Sequence, residues 1–321
     1  MRQSNIELGR IISILLVLLV HSSFATFGNP VKWDTPYFGL IFAQSMGVVG
    51  VNVFVLISGY FSIRLKKKSV IKLLFCCFFY AIISIVYSVY SHSFSLYQLF
   101  FISDANWFVS GYLGLMLLSP ILNSYVEQST QRTLGRIIIV LLLFQIWYEF
   151  IPKFIPDFYG GYSIMSFCIL YILARYLYLY PVKRIGWKMC LTVYLITTFI
   201  LAILIWYLVV FNIKGMSLIT GLLKYNSPLV ILAAVGLFLS FEKIKIPYSP
   251  IINHLAKSCL AVLLIHTSIS FFPLYSEVFL FVFEHTSGIL LVCCWLLAIV
   301  LIYLACVAID QVRLMLERRI L

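Results

Sequence analysis

Charged residues are scarce in this sequence. Asp, Glu, Lys and Arg make up 11% of its 321 residues, whereas 63% are hydrophobic and 17% are aromatic. A soluble domain contains roughly twice that charged fraction, and its core has no room for so much apolar surface. The apolar runs are continuous and do not alternate with polar residues, which excludes a membrane β-barrel and favours helices. The sequence therefore predicts an all-α, polytopic membrane protein.

Metal-binding and nucleotide-binding motifs are also missing. The eight cysteines all lie inside apolar runs, without a CxxC spacing or a histidine in metal-ligand register. We therefore expect packing residues, no structural disulfide and no metal site. A P-loop, a Rossmann glycine pattern, an HExxH motif and a paired acidic motif are all absent. These absences argue against an ATP-driven pump, a membrane zinc protease and a metal-dependent glycosyltransferase, and no permanently bound cofactor is expected.

Apolar segments of about 17–25 residues can cross the hydrocarbon core of a bilayer. Most prolines lie near the ends of such segments, as expected for helix punctuation, and Pro120 is expected to close the fourth. No linker or soluble region separates the segments, so residues 1–321 are predicted to form a single domain. The ten proposed spans are 8–28, 41–62, 70–91, 107–126, 134–151, 162–180, 189–211, 226–242, 251–273 and 288–312.

The basic residues predict the orientation of these spans. Lys and Arg collect in the cytoplasmic loops of membrane proteins. With the N-terminus inside, 19 of the 23 basic residues fall on the inner side and four fall outside, namely Lys32, Lys153, Lys214 and Lys224. Both termini are therefore predicted to be cytoplasmic. The net charge of +12 follows from this topology and from attraction to anionic lipids, and it needs no nucleic-acid partner. A basic inner face also suits an anionic cytoplasmic cosubstrate.

An ionisable side chain at membrane depth is a functional candidate because burying it is costly. His21 follows Arg10 by eleven residues, or roughly 16 Å of helix, so Arg10 at the inner interface places His21 near the middle of the bilayer. A neutral imidazole there can act as a general base, and the alternative is a histidine that hydrogen-bonds a neighbouring helix. The many spans that follow favour a retained first span over a cleaved signal peptide.

Four further polar residues lie inside or at the ends of the proposed spans. Asn52 is a buried amide that needs partners. Ser58 precedes a glycine where another backbone can approach, and it lacks the GxSG setting of an intramembrane protease, so packing is its alternative. His266 is either a neighbour of His21 in a polar pocket or a satisfied interhelical histidine. Trp107 opens the fourth span from outside, where tryptophan is ordinarily a membrane-interface anchor.

A basic cluster follows the second span on the inner side. Such a cluster can bind phosphates, through bidentate hydrogen bonds from arginine and as point charges from lysine. Its members are Arg64, Lys66, Lys67 and Lys68. Topology and lipid headgroups explain the same charges. Charge alone leaves both interpretations open.

Six short motifs along the chain are similar to those of a known family. The most specific is Asn5-Ile-Glu-Leu-Gly-Arg10 with its ten-residue interval before His21. The next is Phe54-Val-Leu-Ile-Ser-Gly-Tyr-Phe61 with basic residues behind it. The softer ones are Trp107-Phe-Val-Ser-Gly-Tyr-Leu, Tyr225-Asn-Ser-Pro-Leu, Leu263-Leu-Ile-His266 and Asp310-Gln-Val-Arg313. In this order, and over nearly the whole chain, they resemble acyltransferase family 3, the bacterial membrane O-acyltransferases.

The resemblance implies roles for individual residues. His21 matches the family's essential histidine and would be the general base. Arg10 matches its paired arginine, which helps to hold the acyl donor. Arg64 matches the basic position after the Ser-Gly motif, and Lys67 and Lys68 are weaker matches beside it. The resemblance also implies about ten spans and an acyl-CoA cosubstrate.

These observations lead to a functional hypothesis. The chain would be a multi-pass bacterial inner-membrane O-acetyltransferase, with acetyl-CoA, a cell-surface or lipid-linked glycan and membrane lipids as its partners. Acyl transfer also needs an oxyanion stabiliser, for which Asn52, Ser58 and Trp107 are candidates.

Two other classes remain open. A secondary transporter or flippase for a lipid-linked glycan is the main alternative, but no repeat or mid-membrane helix break is visible. A glycan polymerase would be expected to carry a long outer loop rich in arginine, which the sequence lacks. A transport assay in vesicles without acetyl-CoA would separate the first of these from the acetyltransferase.

Overall fold

The architecture was examined in a computed structural model, which describes residues 3–28, 37–96, 107–150, 159–211 and 221–320. Over these ranges the chain is all-α, with no strand, as predicted. Three of the four basic residues predicted outside, Lys32, Lys153 and Lys214, lie outside the described residues. The helices are α1 Ser4–Phe27, α2 Phe38–Gly47, α3 Gly50–Tyr60, α4 Lys67–Tyr90, α5 Trp107–Gln128, α6 Gln131–Phe150, α7 Ile164–Leu179, α8 Trp187–Val210, α9 Pro228–Lys243, α10 Pro250–Leu255, α11 Cys259–His266, α12 Phe272–His285 and α13 Gly288–Ile320.

Several of these helices are long and apolar enough to cross a bilayer, as expected of a membrane-embedded protein. Within the described ranges, six reach the necessary length and hydropathy. Two shorter apolar helical segments, Ile164–Leu179 and Pro250–His266, add to them. The number of ten spans and the cytoplasmic position of both termini stay predictions. The six are Ser4–Ser23, Phe38–Tyr60, Lys67–Tyr90, Trp107–Gln128, Trp187–Val210 and Gly288–Ile320.

Pro120 does not close the fourth span, and that expectation was wrong. Helix α5 continues through Pro120 to Gln128. Proline has no backbone N–H to donate to the carbonyl one turn earlier. The Ser119 Oγ donates a hydrogen bond to the Met116 carbonyl at 2.7 Å and so replaces the missing bond. Neighbouring hydroxyl groups of this kind allow proline inside apolar helices.

The region of the ninth proposed span is more broken than the sequence indicated. Residues 251–273 form α10, a short 3-10 turn at Ala256–Ser258, and α11, which ends at His266. Helix α12 then begins at Phe272 and has no counterpart among the proposed spans. Its 14 residues are fewer than a span needs.

The chain divides into two compact units. The first comprises Met1–Arg64 and Gly111–Ser249, and the second comprises Leu65–Ser110 and Pro250–Leu321. The prediction of a single domain stays a prediction. Five of the sequence-predicted site residues lie in the first unit, namely Arg10, His21, Asn52, Ser58 and Arg64, and four lie in the second, namely Lys67, Lys68, Trp107 and His266.

Glycines set how closely the helices of the first unit approach. A Cβ placed on Gly47 would lie 2.6 Å from the Leu16 carbonyl oxygen, and one on Gly50 would lie 2.6 Å from that of Ser13. A Cβ on Gly59 would lie 2.8 Å from the Tyr171 carbonyl oxygen. Such distances leave no room for a side chain, so α1 and α7 pack backbone to backbone against the α2–α3 segment.

Candidate functional site

Helix α1 carries the two residues that the sequence singled out most strongly. It is continuous over Ser4–Phe27, so the eleven-residue interval between Arg10 and His21 is helical throughout. Eleven residues make about three turns, which puts both side chains on one face, roughly 16 Å apart along the axis. Both residues are half-buried. One apolar helix therefore presents a cation near its start and an imidazole three turns further on.

Glu7 accompanies Arg10 on this helix. The Glu7 Oε1 lies 3.6 Å from Arg10 Nη1, and Glu7 is only 5% exposed. A carboxylate in the first turn of a helix is also favoured by the helix dipole. Glu7 therefore fixes the side chain that the sequence assigned to the acyl donor. Sequence reasoning missed Glu7, although its i,i+3 spacing to Arg10 was the available signal.

Polar side chains join the start of α1 to the end of α9, and the end of α9 to the end of α3. The Asn5 Nδ2 donates to the carbonyl oxygens of Phe241 at 2.9 Å and Glu242 at 3.2 Å. The Tyr60 hydroxyl donates to Glu242 Oε1 at 3.1 Å. The Asn5 bonds tie the start of α1 to the end of α9, and the Tyr60 bond ties the end of α3 to the same end of α9.

Arg175 closes the C-terminal end of α3. Its Nη1 donates to the Tyr60 carbonyl at 2.9 Å, and its guanidinium carbon lies 4.8 Å from the centre of the Tyr178 ring. A cation at a helix C-terminus is favoured because the last carbonyls have no helical partner. The sequence counted Arg175 only as an inner-side charge, since this contact joins residues far apart in the chain.

Asn52 and Ser58 are both engaged in hydrogen bonds within the first unit. The Asn52 Nδ2 donates to the Tyr225 carbonyl at 2.8 Å and anchors the turn that precedes α9. The Ser58 Oγ donates to the Phe54 carbonyl at 2.9 Å and lies 3.2 Å from the Tyr112 hydroxyl. The single proton of Ser58 is therefore used inside its own helix, and the bond to Tyr112 has the tyrosine as donor.

The basic residues after the second span are exposed. Arg64 follows α3 at the edge of the first unit, and Lys67 and Lys68 begin α4 in the second. Exposure of all three fits either binding of an anion from the cytoplasm or contact with lipid headgroups.

Trp107 and His266 lie in the second unit. Trp107 is the first residue of α5 and is half-buried, with its ring 6.1 Å from that of Phe108. His266 ends α11, is 2% exposed, and has its Nδ1 2.6 Å from the Val262 carbonyl and its ring 5.5 Å from that of Tyr275. Each has packing contacts of its own, and their proposed roles in a pocket stay predictions.

The second unit also contains a buried ionic network. The Arg313 guanidinium binds Asp310, with Nη2 2.8 Å from Oδ2, and it contacts Glu317 one turn later. The Tyr80 hydroxyl donates to Asp310 at 2.6 Å, and Lys72 Nζ lies 2.7 Å from Glu317. Asp310 is fully buried. This network joins α4 to α13. Asp310 and Arg313 belong to one of the motifs that resemble acyltransferase family 3, but their pairing with Tyr80 and Glu317 was not predicted from the sequence.

No cluster of three or more His, Cys, Asp or Glu side chains suited to a metal ion occurs in the part of the chain that the structure describes. Helix α1 offers a half-buried imidazole at His21 and a cation at Arg10, three turns earlier on the same helix. An imidazole can remove a proton from a hydroxyl, and a cation can hold phosphate groups.

A comparison with protein families identifies the chemistry. The model of a family described as an acyltransferase domain matches residues 3–310 of the chain. The chain belongs to acyltransferase family 3. As a family 3 member it is an acyltransferase, and the matched range includes Arg10, His21 and the other site residues that the sequence predicted. No curated protein and no solved structure matched the chain.

Proposed function

We propose that this acyltransferase moves an acetyl group from cytoplasmic acetyl-CoA to a hydroxyl of a cell-surface or lipid-linked polysaccharide in a bacterial inner membrane. The observation that carries the proposal is the shared face of Arg10 and His21 on one uninterrupted helix. Family membership supports acyl transfer in general. The identity of the acyl donor, the identity of the acceptor and the role of His21 as general base are proposals.

The donor would bind from the cytoplasmic side. Arg10, held by Glu7, and the exposed Arg64 would bind the phosphates of acetyl-CoA, because guanidinium groups make forked hydrogen bonds to phosphate. Lys67 and Lys68, which follow Arg64 within four residues of the chain, would add point charges. The pantetheine arm would then run along α1 and bring the thioester to His21.

His21 would act as the general base. Its imidazole nitrogen takes the proton of the acceptor hydroxyl while the hydroxyl oxygen attacks the thioester carbonyl carbon. The tetrahedral intermediate collapses, the carbon–sulfur bond breaks, and the departing thiolate receives the proton from His21. The products are the acetyl ester and free coenzyme A, and His21 returns to its neutral form.

A purified protein tests this proposal. Wild-type protein in liposomes, given labelled acetyl-CoA and an acceptor polysaccharide, is expected to form base-labile acetyl esters. His21→Ala is expected to lose at least about a hundredfold in rate, as for removal of a general base. His285→Ala is the control, because His285 is exposed on α12. A folded His21→Ala protein with full transfer would contradict the proposal.

The acceptor is identified by mass spectrometry of surface glycan. Cells with and without the gene are compared, and a loss of one acetyl group per repeat unit is expected in its absence. The contrary outcome is an unchanged glycan mass while the purified protein transfers acetyl groups to another hydroxyl compound. That result would contradict the proposed acceptor but not the assignment as an acyltransferase.

A further inference from the structure

Gln44 is a buried amide whose hydrogen-bonding groups have no partner in the part of the chain that the structure describes. It lies on α2 and is 0% exposed. Among the described residues, neither its Oε1 nor its Nε2 has a hydrogen-bond partner. Buried polar side chains are nearly always paired, because an unpaired one destabilises the fold. Gln44 is the only described residue with both its acceptor and its donor unpaired in this way, so its amide is available to a ligand.

The packing of α1 against α2 and α3 fixes the level of Gln44. Gly50 packs at Ser13 and Val17, and three residues earlier Gly47 packs at Leu16 and Val20. A step of three residues toward the N-terminus of the α2–α3 segment thus matches a step of three residues toward the C-terminus of α1, because the two run antiparallel.

One further step of three residues brings Gln44 to the level of Leu19 and Ser23, and His21 lies midway between these two positions in the sequence. Gln44 and His21 are therefore at the same depth.

The helical rotation also turns both side chains to the same side. Successive residues are rotated by about 100° in an α-helix. Counted in the N-to-C sense about the axis of α1, the His21 side chain is rotated by about 100° from that of Val20, which faces α2. Counted in the same sense about the axis of α2, the Gln44 side chain is rotated by about 60° from the position of Gly47, which faces α1. In an antiparallel pair, equal senses of rotation lead to one common side. Ile14 and Leu18 on α1 and Ile41 on α2, which lie toward that side, are all buried, so the side is the interior of the unit.

We propose that the Gln44 amide donates a hydrogen bond to the carbonyl oxygen of the acyl thioester and stabilises the oxyanion that forms when the hydroxyl activated by His21 attacks. This inference rests on the proposed acyl transfer at His21. A primary amide has two N–H donors, and such donors act at 2.7–3.1 Å from a developing oxyanion. Of the earlier candidates in this unit, Ser58 donates its single proton to the Phe54 carbonyl, and Asn52 donates one of its two N–H groups to the Tyr225 carbonyl, whereas Gln44 has both N–H groups unpaired among the described residues.

Substitution of Gln44 by an apolar residue of similar size tests the proposal. Gln44→Met is expected to lower kcat for acetyl transfer by about a hundredfold or more, the usual effect of removing an oxyanion donor. The KM for acetyl-CoA should stay nearly unchanged, because Arg10 and Arg64 hold its phosphates. The melting temperature in detergent should be equal or higher, since an unpaired buried amide is removed. Gln44→Asn, which keeps the amide one methylene shorter, should recover part of the rate.

Gln145→Met is the matched control. Gln145 lies on α6 of the same unit, is 1% exposed, and has an Oε1 without a partner among the described residues. Its substitution should leave kcat unchanged. A folded Gln44→Met protein with kcat within about threefold of wild type would overturn the proposal. A Gln44→Met protein that no longer folds would also overturn the proposal, because the amide would then have a structural role.

The failures of the two proposals are distinguishable. Wild-type protein without acetyl transfer, or His21→Ala protein with full transfer, would contradict the proposed function. Normal wild-type activity and loss of activity in His21→Ala, together with full activity in Gln44→Met, would contradict the role of Gln44 alone.

Discussion

At the scale of single residues, Arg10 depends on Glu7. The two side chains are 3.6 Å apart, and the carboxylate is nearly buried while the guanidinium keeps about a third of its surface. The pair leaves donor groups of Arg10 able to meet a phosphate and limits the directions in which they point. Glu7 is thus a positioning residue for the proposed donor site.

Loss of the Glu7 charge is expected to weaken binding of the donor. A partly exposed ion pair contributes ~1 kcal/mol, which corresponds to about fivefold in an equilibrium constant. Glu7→Gln should therefore raise the KM for acetyl-CoA about fivefold and leave kcat nearly unchanged. Steady-state kinetics checks this, with Glu127→Gln at the exposed end of α5 as the control. An unchanged KM in Glu7→Gln protein would show that Arg10 needs no such partner.

At the scale of elements, small residues decide which helices approach each other. In lipid there is no hydrophobic force between apolar helices, so association depends on close packing. Gly47 and Gly50 supply it for α1, and Gly236 supplies it for α8, where a Cβ would lie 3.0 Å from the Cys190 carbonyl oxygen. The sequence shows the positions of these glycines, but only the fold shows which helix packs against each of them.

Alanine at Gly47 or Gly50 is expected to separate α1 from α2 and α3. The added Cβ would be 2.6 Å from a backbone oxygen, which has no freedom to move aside. Thermal unfolding in detergent should show a clearly lower melting temperature and a lower rate of acetyl transfer. Gly39→Ala on α2 is the control, because nothing lies within 4 Å of its Cβ position. It should be neutral or stabilising by ~1 kcal/mol, since alanine favours a helix more than glycine. Equal melting temperatures for all three variants would refute the close contact.

The ionic network between α4 and α13 is expected to be costly to break from one side. Arg313→Met leaves Asp310 charged and buried, which destabilises a protein by ~3–5 kcal/mol. Asp310→Leu together with Arg313→Met removes both charges and should recover most of the loss. Chemical or thermal unfolding of the three proteins measures this, and a double variant no more stable than Arg313→Met would contradict the pairing.

At the scale of the whole molecule, the distribution of charge predicts the direction in which the chain is inserted. With the N-terminus taken as inside, 19 basic residues fall on the inner side and four on the outer side, which favours both termini in the cytoplasm. That orientation would put Arg10 beside a cytoplasmic donor and His21 deeper in the membrane, within reach of an acceptor from the other side. The spans would then carry an acyl group to a glycan that never enters the cytoplasm.

Reporter fusions test this orientation. A green fluorescent protein fused after Leu321 should fluoresce, and alkaline phosphatase fused there should be inactive, because each folds on only one side of a bacterial inner membrane. Truncation after Lys224 should reverse both results, since that residue is predicted outside. Active phosphatase after Leu321 would contradict the predicted number of spans.

Much of the fold was accessible from the sequence because apolar runs must be helical in lipid. The boundaries of α4 and α8 differ from the proposed spans by three residues or fewer. The break in 251–273 was missed because hydropathy averages over a window and does not register a short turn. Pro120 was misread because the hydroxyl that replaces its hydrogen bond comes from Ser119, an ordinary residue in any hydropathy profile.

The sequence by itself determined the class of protein and the distribution of basic residues among its loops. It also determined that Arg10 and His21 lie on one helix face. All three depend on local spacing along the chain. Only the tertiary structure decided what surrounds them. Arg175 at the end of α3 and Gln44 level with His21 depend on contacts between distant segments. A glutamine in an apolar run looks the same in the sequence whether its amide is paired or not. The structure shows that the Gln44 amide has no partner among the described residues, and the packing of α1 on Gly47 and Gly50 puts it level with His21.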